Sequence, residues 1–263
     1  MEDDVEMTLL SDTRYVFIRY MRKLVRTPIL LFFSLFQPLL FLLLFTQLLG
    51  RLGNFPGILP PGVGYLEFAT AGILMQNAFG SALQSGNSIV ADIDSGFLQK
   101  MLVTPMSRPA ILLGRLSSDA FRVVVQTAII LGLAYALGAY VTTGIIGILL
   151  IFFTLAFFGL AWSGISLALG MKTRSAETVF AIGGVITFPL LFLSPALFPI
   201  SFLPTWVQTV SKFNPVSYAV DASRALMING YDWGTILPAW GVIGLVAVIT
   251  LSATLYQFRK VVS

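Results

Sequence analysis

Cysteine and histidine are both absent from this chain. Without thiols there is no disulfide, no thiolate nucleophile and no zinc–thiolate site. Without imidazole there is no histidine-based acid–base catalysis. Charge is scarce as well: 11% of residues, against about 25% in a soluble domain. A chain of 263 residues with so few charges cannot cover a water-facing surface, and its 57% of hydrophobic residues makes lipid the solvent it suits. Carboxylates are not clustered, so no metal is expected. The nearest approach to a P-loop runs from Gly164 to Lys172 and fails, because Met171 separates Gly170 from Lys172. Any ATP hydrolysis must therefore come from another polypeptide. No nucleophile–base pair stands out for an intramembrane enzyme.

What remains is a pattern of long apolar runs. A helix needs about 20 apolar residues to cross the hydrocarbon. The fold expected is an all-α membrane protein, one domain over 1–263, with six spans at about 29–49, 65–89, 118–140, 144–169, 178–198 and 236–258. The second is interrupted by Glu67, Gln76, Asn77, Gln84 and Asn87. The fifth meets Pro189 and Pro195, which are expected to break it before it completes a crossing. The acidic start Met1-Glu2-Asp3-Asp4-Val5-Glu6, with no apolar run before Ile29, reads as a retained tail rather than a cleavable signal peptide.

Orientation follows from lysine and arginine. Arg14, Arg19, Arg22, Lys23, Arg26, Lys100, Arg108, Arg115, Arg122, Lys172, Arg174, Arg259 and Lys260 fall on one side of the expected spans. Only Arg51, Lys212 and Arg224 fall on the other. This bias puts both termini in the cytoplasm and agrees with an even number of spans.

Residues 8–27 read as an interfacial helix. Phe17, Tyr20, Met21 and Leu24 form an apolar stripe, and Arg19, Arg22, Lys23 and Arg26 repeat it two residues later, on the opposite face. In the connection after the second span, Ile93, Phe97 and Met101 share one helical face, with Pro105 and Pro109 ending that helix. Such a helix suits a soluble partner or the lipid surface. The outer segment 199–233 carries Trp206, Tyr218, Tyr231 and Trp233 as interface anchors, with Trp240 just beyond, and Asp221 and Arg224 are spaced to pair. It reads as a re-entrant helical region.

Ionisable groups are rare within the spans. Glu67 and Asp119 are placed at span edges, Asp119 between Arg115 and Arg122, which gives ion coupling little support. Gln76, Asn77, Gln84 and Asn87 are the candidate pathway liners, the alternative being hydrogen bonds between helices. Gly159, Ser163 and Gly183-Gly184 read as close-packing positions.

Three motifs carry a family resemblance. The first is Tyr65-Leu66-Glu67-Phe68-Ala69-Thr70-Ala71-Gly72-Ile73-Leu74. The second is Asp92-Ile93-Asp94-Ser95-Gly96-Phe97, followed by Leu102-Val103-Thr104-Pro105-Met106-Ser107-Arg108. The third is Phe198-Pro199 through Leu203-Pro204 to Asn214-Pro215-Val216-Ser217-Tyr218-Ala219-Val220-Asp221-Ala222-Ser223-Arg224. Together they resemble the membrane subunits of ABC-2 type exporters, in particular the daunorubicin-resistance-like group of drug and lipid export permeases. The resemblance covers nearly the whole chain and departs at Ala71, where the family often has proline.

The resemblance implies a cell-membrane permease that dimerises with a second copy or paralogue and binds a separate ATPase, which holds the ATP and Mg²⁺. No cofactor in this chain and no nucleic acid is implied. A cytoplasmic coupling helix over 91–112 would use Asp92, Asp94, Gly96, Phe97, Met101, Pro105 and Arg108. Pro199, Pro204, Asn214, Pro215 and Tyr218 would belong to the outer gate. The cargo would be an amphipathic drug, lipid or glycoconjugate. A carrier driven by an ion gradient and a non-transporting membrane scaffold are the competing readings.

Overall fold

The computed structural model describes residues 2–50, 63–104 and 106–262, and among them every regular element is helical. In chain order they are α1 (Glu2–Arg26), α2 (Pro28–Leu49), α3 (Tyr65–Asp94), α4 (Phe97–Val103), α5 (Arg108–Ala136), α6 (Gly144–Thr173), α7 (Ala176–Phe192), α8 (Thr205–Ser211), α9 (Pro215–Arg224) and α10 (Trp233–Val262). A 3₁₀ turn at Ile200–Phe202 precedes α8. A π turn at Ala225–Asn229 continues α9.

Helix α3 is the axis of the bundle: α2, α5, α6, α7 and α9 all pack on it. Its small residues make this geometry accessible. A side chain at Gly72 would collide with the Ala196 carbonyl, and one at Gly86 with the Ser166 carbonyl. Phe79 fills the α3–α6 seam against Phe158 and Trp162, with ring centroids 5.0 and 4.8 Å away. A second, smaller apolar cluster gathers Ile93 at the end of α3, Leu98 and Met101 of α4, Ile111 and Leu112 of α5, Met171 of α6 and Phe258 of α10. These are the ends that carry most of the basic residues. That end is called the basic end below, and the end holding α8 and α9 the aromatic end.

Among the described residues four helices, α2, α5, α6 and α10, are long and apolar enough to cross a membrane. Helix α3 has 30 residues, but polar side chains dilute it, and α7 has only 17. Pro189 lies inside α7 rather than breaking it, and the helix stops three residues later at Phe192, short of the expected end at 198.

Two further differences from the sequence reading shape the basic end. The expected helix over 91–112 is divided among three elements. Asp92 and Asp94 end α3, Gly96 turns the chain at φ 67°, and α4 is a separate seven-residue helix. Arg108 already belongs to α5. The reason is local. The left-handed φ at Gly96 ends one helix, and Pro109 starts the next, because the first turn of a helix needs no proline N–H. Pro105 lies outside the described residues.

The second difference follows from this. Helix α5 begins at 108 rather than 118. It thereby draws Arg115, Asp119 and Arg122 into the helical bundle instead of leaving them at a span edge.

Candidate functional site

At the basic end the polar side chains converge on Asp92, which is 2% exposed. Its Oδ2 accepts from Arg115 Nη1 at 2.9 Å and from the Tyr20 hydroxyl at 2.7 Å. Its Oδ1 faces Arg19 Nη2 at 3.4 Å and Lys23 Nζ at 3.7 Å. Arg115 also donates to the Tyr20 hydroxyl oxygen at 2.8 Å and to the Ser85 carbonyl at 2.8 Å. The participants come from three helices: Tyr20, Arg19 and Lys23 from α1, Asp92 and Ser85 from α3, Arg115 from α5. A buried carboxylate is tolerated only when matched in this way. Burial pushes the Tyr20 hydroxyl above its ordinary pKa against the pull of Arg115, so it remains a proton donor to Asp92.

The same network reaches α4. The Arg19 guanidinium lies 3.3 Å over the Phe97 ring, a cation–π contact that ties α1 to the start of α4. Leu98 and Met101 are buried beneath. Of the stripe read from the sequence, Ile93 ends α3, while Phe97 and Met101 lie on the side of α4 that anchors it to the bundle. Gln99, Lys100, Val103 and Thr104 point away from it, Val103 being 86% exposed. Asp94 and Arg108 are exposed on either side.

Helix α1 also departs from the expected stripe. Among its residues with described side chains, Val16 and Tyr20 are buried, and it packs along α5, where Gly114 admits the Thr13 carbonyl. Two members of the basic stripe, Arg19 and Lys23, turn toward Asp92. Asp12 Oδ2 accepts the backbone N–H of Ser107 at 2.9 Å, fixing the entry to α5.

A second polar layer lies deeper. Asp119 accepts from the Ser85 hydroxyl and pairs with Arg122 Nη2 at 3.0 Å, and Arg122 donates to the Ser81 hydroxyl and carbonyl at 2.9 and 2.6 Å. Asn77 Nδ2 donates to Gln126 Oε1 at 3.4 Å, and Gln126 reaches Ser34 on α2 at 2.9 Å. Asn77 is therefore engaged between helices. Gln76 is half-buried and Gln84 is exposed.

At the aromatic end Asn214 caps α9. Its Oδ1 accepts the Val216 N–H at 3.0 Å, while its Nδ2 donates to the carbonyls of Leu190 and Leu193 at 2.6 and 3.3 Å. One side chain thus starts α9 and ends α7. Asn214→Ala is expected to cost about 2 kcal/mol in thermal unfolding of the detergent-solubilised protein, through the lost cap and the stranded carbonyls. Asn214→Asp, which keeps the acceptor, should lie between. An alanine variant as stable as the parent would refute the clamp.

Pro204 and Pro199 precede the first residues of α8 and of the 3₁₀ turn, and Pro215 opens α9. Tyr218 donates to the Lys212 carbonyl at 2.8 Å. The expected Asp221–Arg224 pair forms at 3.6 Å.

The family profile described as ABC-2 type transporter matches residues 11–228. The chain belongs to that family. The daunorubicin resistance ABC transporter permease protein DrrB1 of Streptomyces coeruleorubidus is 32% identical over 98% of this chain and 90% of its own length. The putative transport permease ycf38 of Pyropia yezoensis is 29% identical over 93% of this chain and 84% of its own. The probable multidrug ABC transporter permease YbhR of Escherichia coli (strain K12) is 22% identical over 76% of this chain and 54% of its own.

The chain is thus a multi-pass membrane permease of the ABC-2 drug-export group. Of the residues expected to couple to an ATPase, Asp92 and Phe97 lie in the network at the basic end; Tyr20, Arg19, Lys23 and Arg115 were read from the sequence in other settings and not as their partners. These lie 23 to 73 residues from Asp92, and no local spacing links them to it.

Proposed function

We propose that this chain is the membrane-crossing subunit of an ATP-driven exporter, coupled to a separate ATPase at the basic end. The observation that carries the reading is the placement of α4. This short helix is anchored through Leu98, Met101 and the Arg19–Phe97 contact, yet offers Gln99, Lys100 and Val103 outward. A rigidly held helix with one free face is suited to receive a push from a soluble partner and pass it to α1, α3 and α5 through Asp92. The ATP and Mg²⁺ would be held by that partner. On this reading α3 and α7 also cross the cell membrane, giving six spans with both termini cytoplasmic, and a second copy or paralogue completes the path for an amphipathic cargo.

The two carboxylates buried toward the basic end argue against an ion-coupling site there. Asp92 and Asp119 are both locked in ion pairs with arginine. A proton- or sodium-coupled site needs a carboxylate free to exchange its partner.

The test is co-purification with a candidate ATPase subunit co-expressed with this chain, together with export from cells. Lys100→Glu with Val103→Asp changes only exposed side chains. It should cut both ATPase recovery and export at least about tenfold while thermal stability stays within the ±0.5 kcal/mol usual for surface changes. Unchanged recovery would sink the assignment of α4. Concentrative transport by the purified chain alone, driven by an ion gradient, would sink the exporter reading.

A further inference from the structure

The aromatic end holds a cavity of about 560 Å³, within the size range of small-molecule sites. It lies between the first turn of α3, the α7–α8 link, α8 and α9. Phe68, Pro199, Ile200 and Ile228 supply an apolar wall. Several of its polar groups are already committed. Ser211 and Ser217 bond to each other at 2.7 Å, Gln208 donates to the Leu203 carbonyl, and Tyr218 donates to the Lys212 carbonyl. Selectivity therefore falls to the charged lining residues, Lys212, Asp221 and Arg224.

Arg224 is fixed in place. Its Nη2 donates to the Pro195 carbonyl at 2.6 Å and, at 3.5 Å, to that of Phe68, and its guanidinium lies 3.7 Å over the Phe68 ring. Its Nε has no partner. The contact with Asp221, at 3.6 Å, is too long for a hydrogen bond. Lys212 is exposed at the rim, with no ion pair among the described residues. Two cations thus face one loosely held carboxylate across an apolar wall. The geometry points to a binding site here for an amphipath with one anionic headgroup, a phosphate or carboxylate, its tail lying along Phe68, Pro199, Ile200 and Ile228. Arg224 supplies a preorganised positive charge and Lys212 a mobile one. Asp221 opposes the ligand and yields its weak hold on Arg224 when an anion enters.

This site deepens the export reading by naming a cargo chemistry, but its test needs no ATPase. A failure here leaves the coupling at α4 untouched, and a failure there leaves this site standing. Purified protein in phosphatidylcholine nanodiscs is titrated with radiolabelled dodecyl phosphate, empty discs being subtracted, and with dodecyltrimethylammonium as the cationic counterpart. Dodecyl phosphate should bind the more tightly. Lys212→Gln, on an exposed side chain, should weaken it about tenfold, and Asp221→Asn should tighten it. Preferential binding of dodecyltrimethylammonium, or binding that neither substitution changes, would overturn the proposal. Repeating the titration in phosphatidylglycerol discs separates the two sources of the same chemistry. Loss of dodecyl phosphate binding there supports occupation by a membrane lipid headgroup, and retention supports a free anionic amphipath.

Discussion

Asp92→Leu should lower stability by about 3–5 kcal/mol and abolish most export. The cost does not come from the pair's own attraction. It comes from what is left behind: Arg115, only 3% exposed, would lose its direct ion pair and keep only Asp119, itself bound to Arg122, as a nearby carboxylate. Arg19 and Lys23 would lose the group that turns α1 inward, and the Arg19 contact with Phe97 would loosen with them. Stability is read by SDS-induced unfolding in mixed micelles and export by cargo efflux.

The origin of the loss is separable. Combining Asp92→Leu with Arg115→Met and Tyr20→Phe removes the charges and the hydroxyl together. Buried polar groups replaced jointly by apolar ones of similar volume are often nearly neutral. The triple variant should recover most of the stability and little of the export, since the bundle would be packed but α1, α3 and α5 no longer joined through Asp92. A single variant with parental stability would refute the burial argument. A triple variant with full export would show the network to be structural only.

Gly86→Ala and Gly170→Ala should each cost about 1–3 kcal/mol, read in the same unfolding assay. A methyl on Gly86 would sit 2.5 Å from the Ser166 carbonyl oxygen, and one on Gly170 would sit 2.6 Å from that of Gly86. Backbone cannot rotate aside as a side chain can, so α3 and α6 must part along their contact. The losses should sum to less than additive, because both act on one crossing. Gly241→Ala is the control. Nothing lies within 4 Å of its would-be methyl, and alanine is the better helix former, so this variant should be neutral or slightly stabilised. Equal effects at all three positions would mean that close packing at the crossing is not what the glycines serve.

How far the sequence foretold these features depends on the range of the interaction. The Asp221–Arg224 pair was legible because partners three residues apart share a helix face. Gly159 and Gly183 were rightly read as close-packing positions: a methyl on either would press on Val123 or Leu83. Gly184, read the same way, has only ordinary contact with Phe188. Gly72, Gly86 and Gly170 were not singled out, since a glycine's neighbour across a helix crossing has no signature in its own helix. What covers the apolar stripe of α4 was left open between a partner and lipid for a related reason. Periodicity locates an apolar stripe but does not say whether protein, lipid or a partner covers it.

The sequence by itself determined the solvent, the helical class and the concentration of basic residues at one end. These follow from composition and from periodicities of a few residues, and both are written along the chain. Only the tertiary structure decided that Asp92 is the meeting point of α1, α3 and α5, that α4 turns Met101 inward and Val103 outward, and that Lys212, Asp221 and Arg224 line one cavity. A buried charge must find its counterion somewhere in the fold, but burial states only that the need exists. Which residue meets it depends on how helices far apart in sequence are brought to cross.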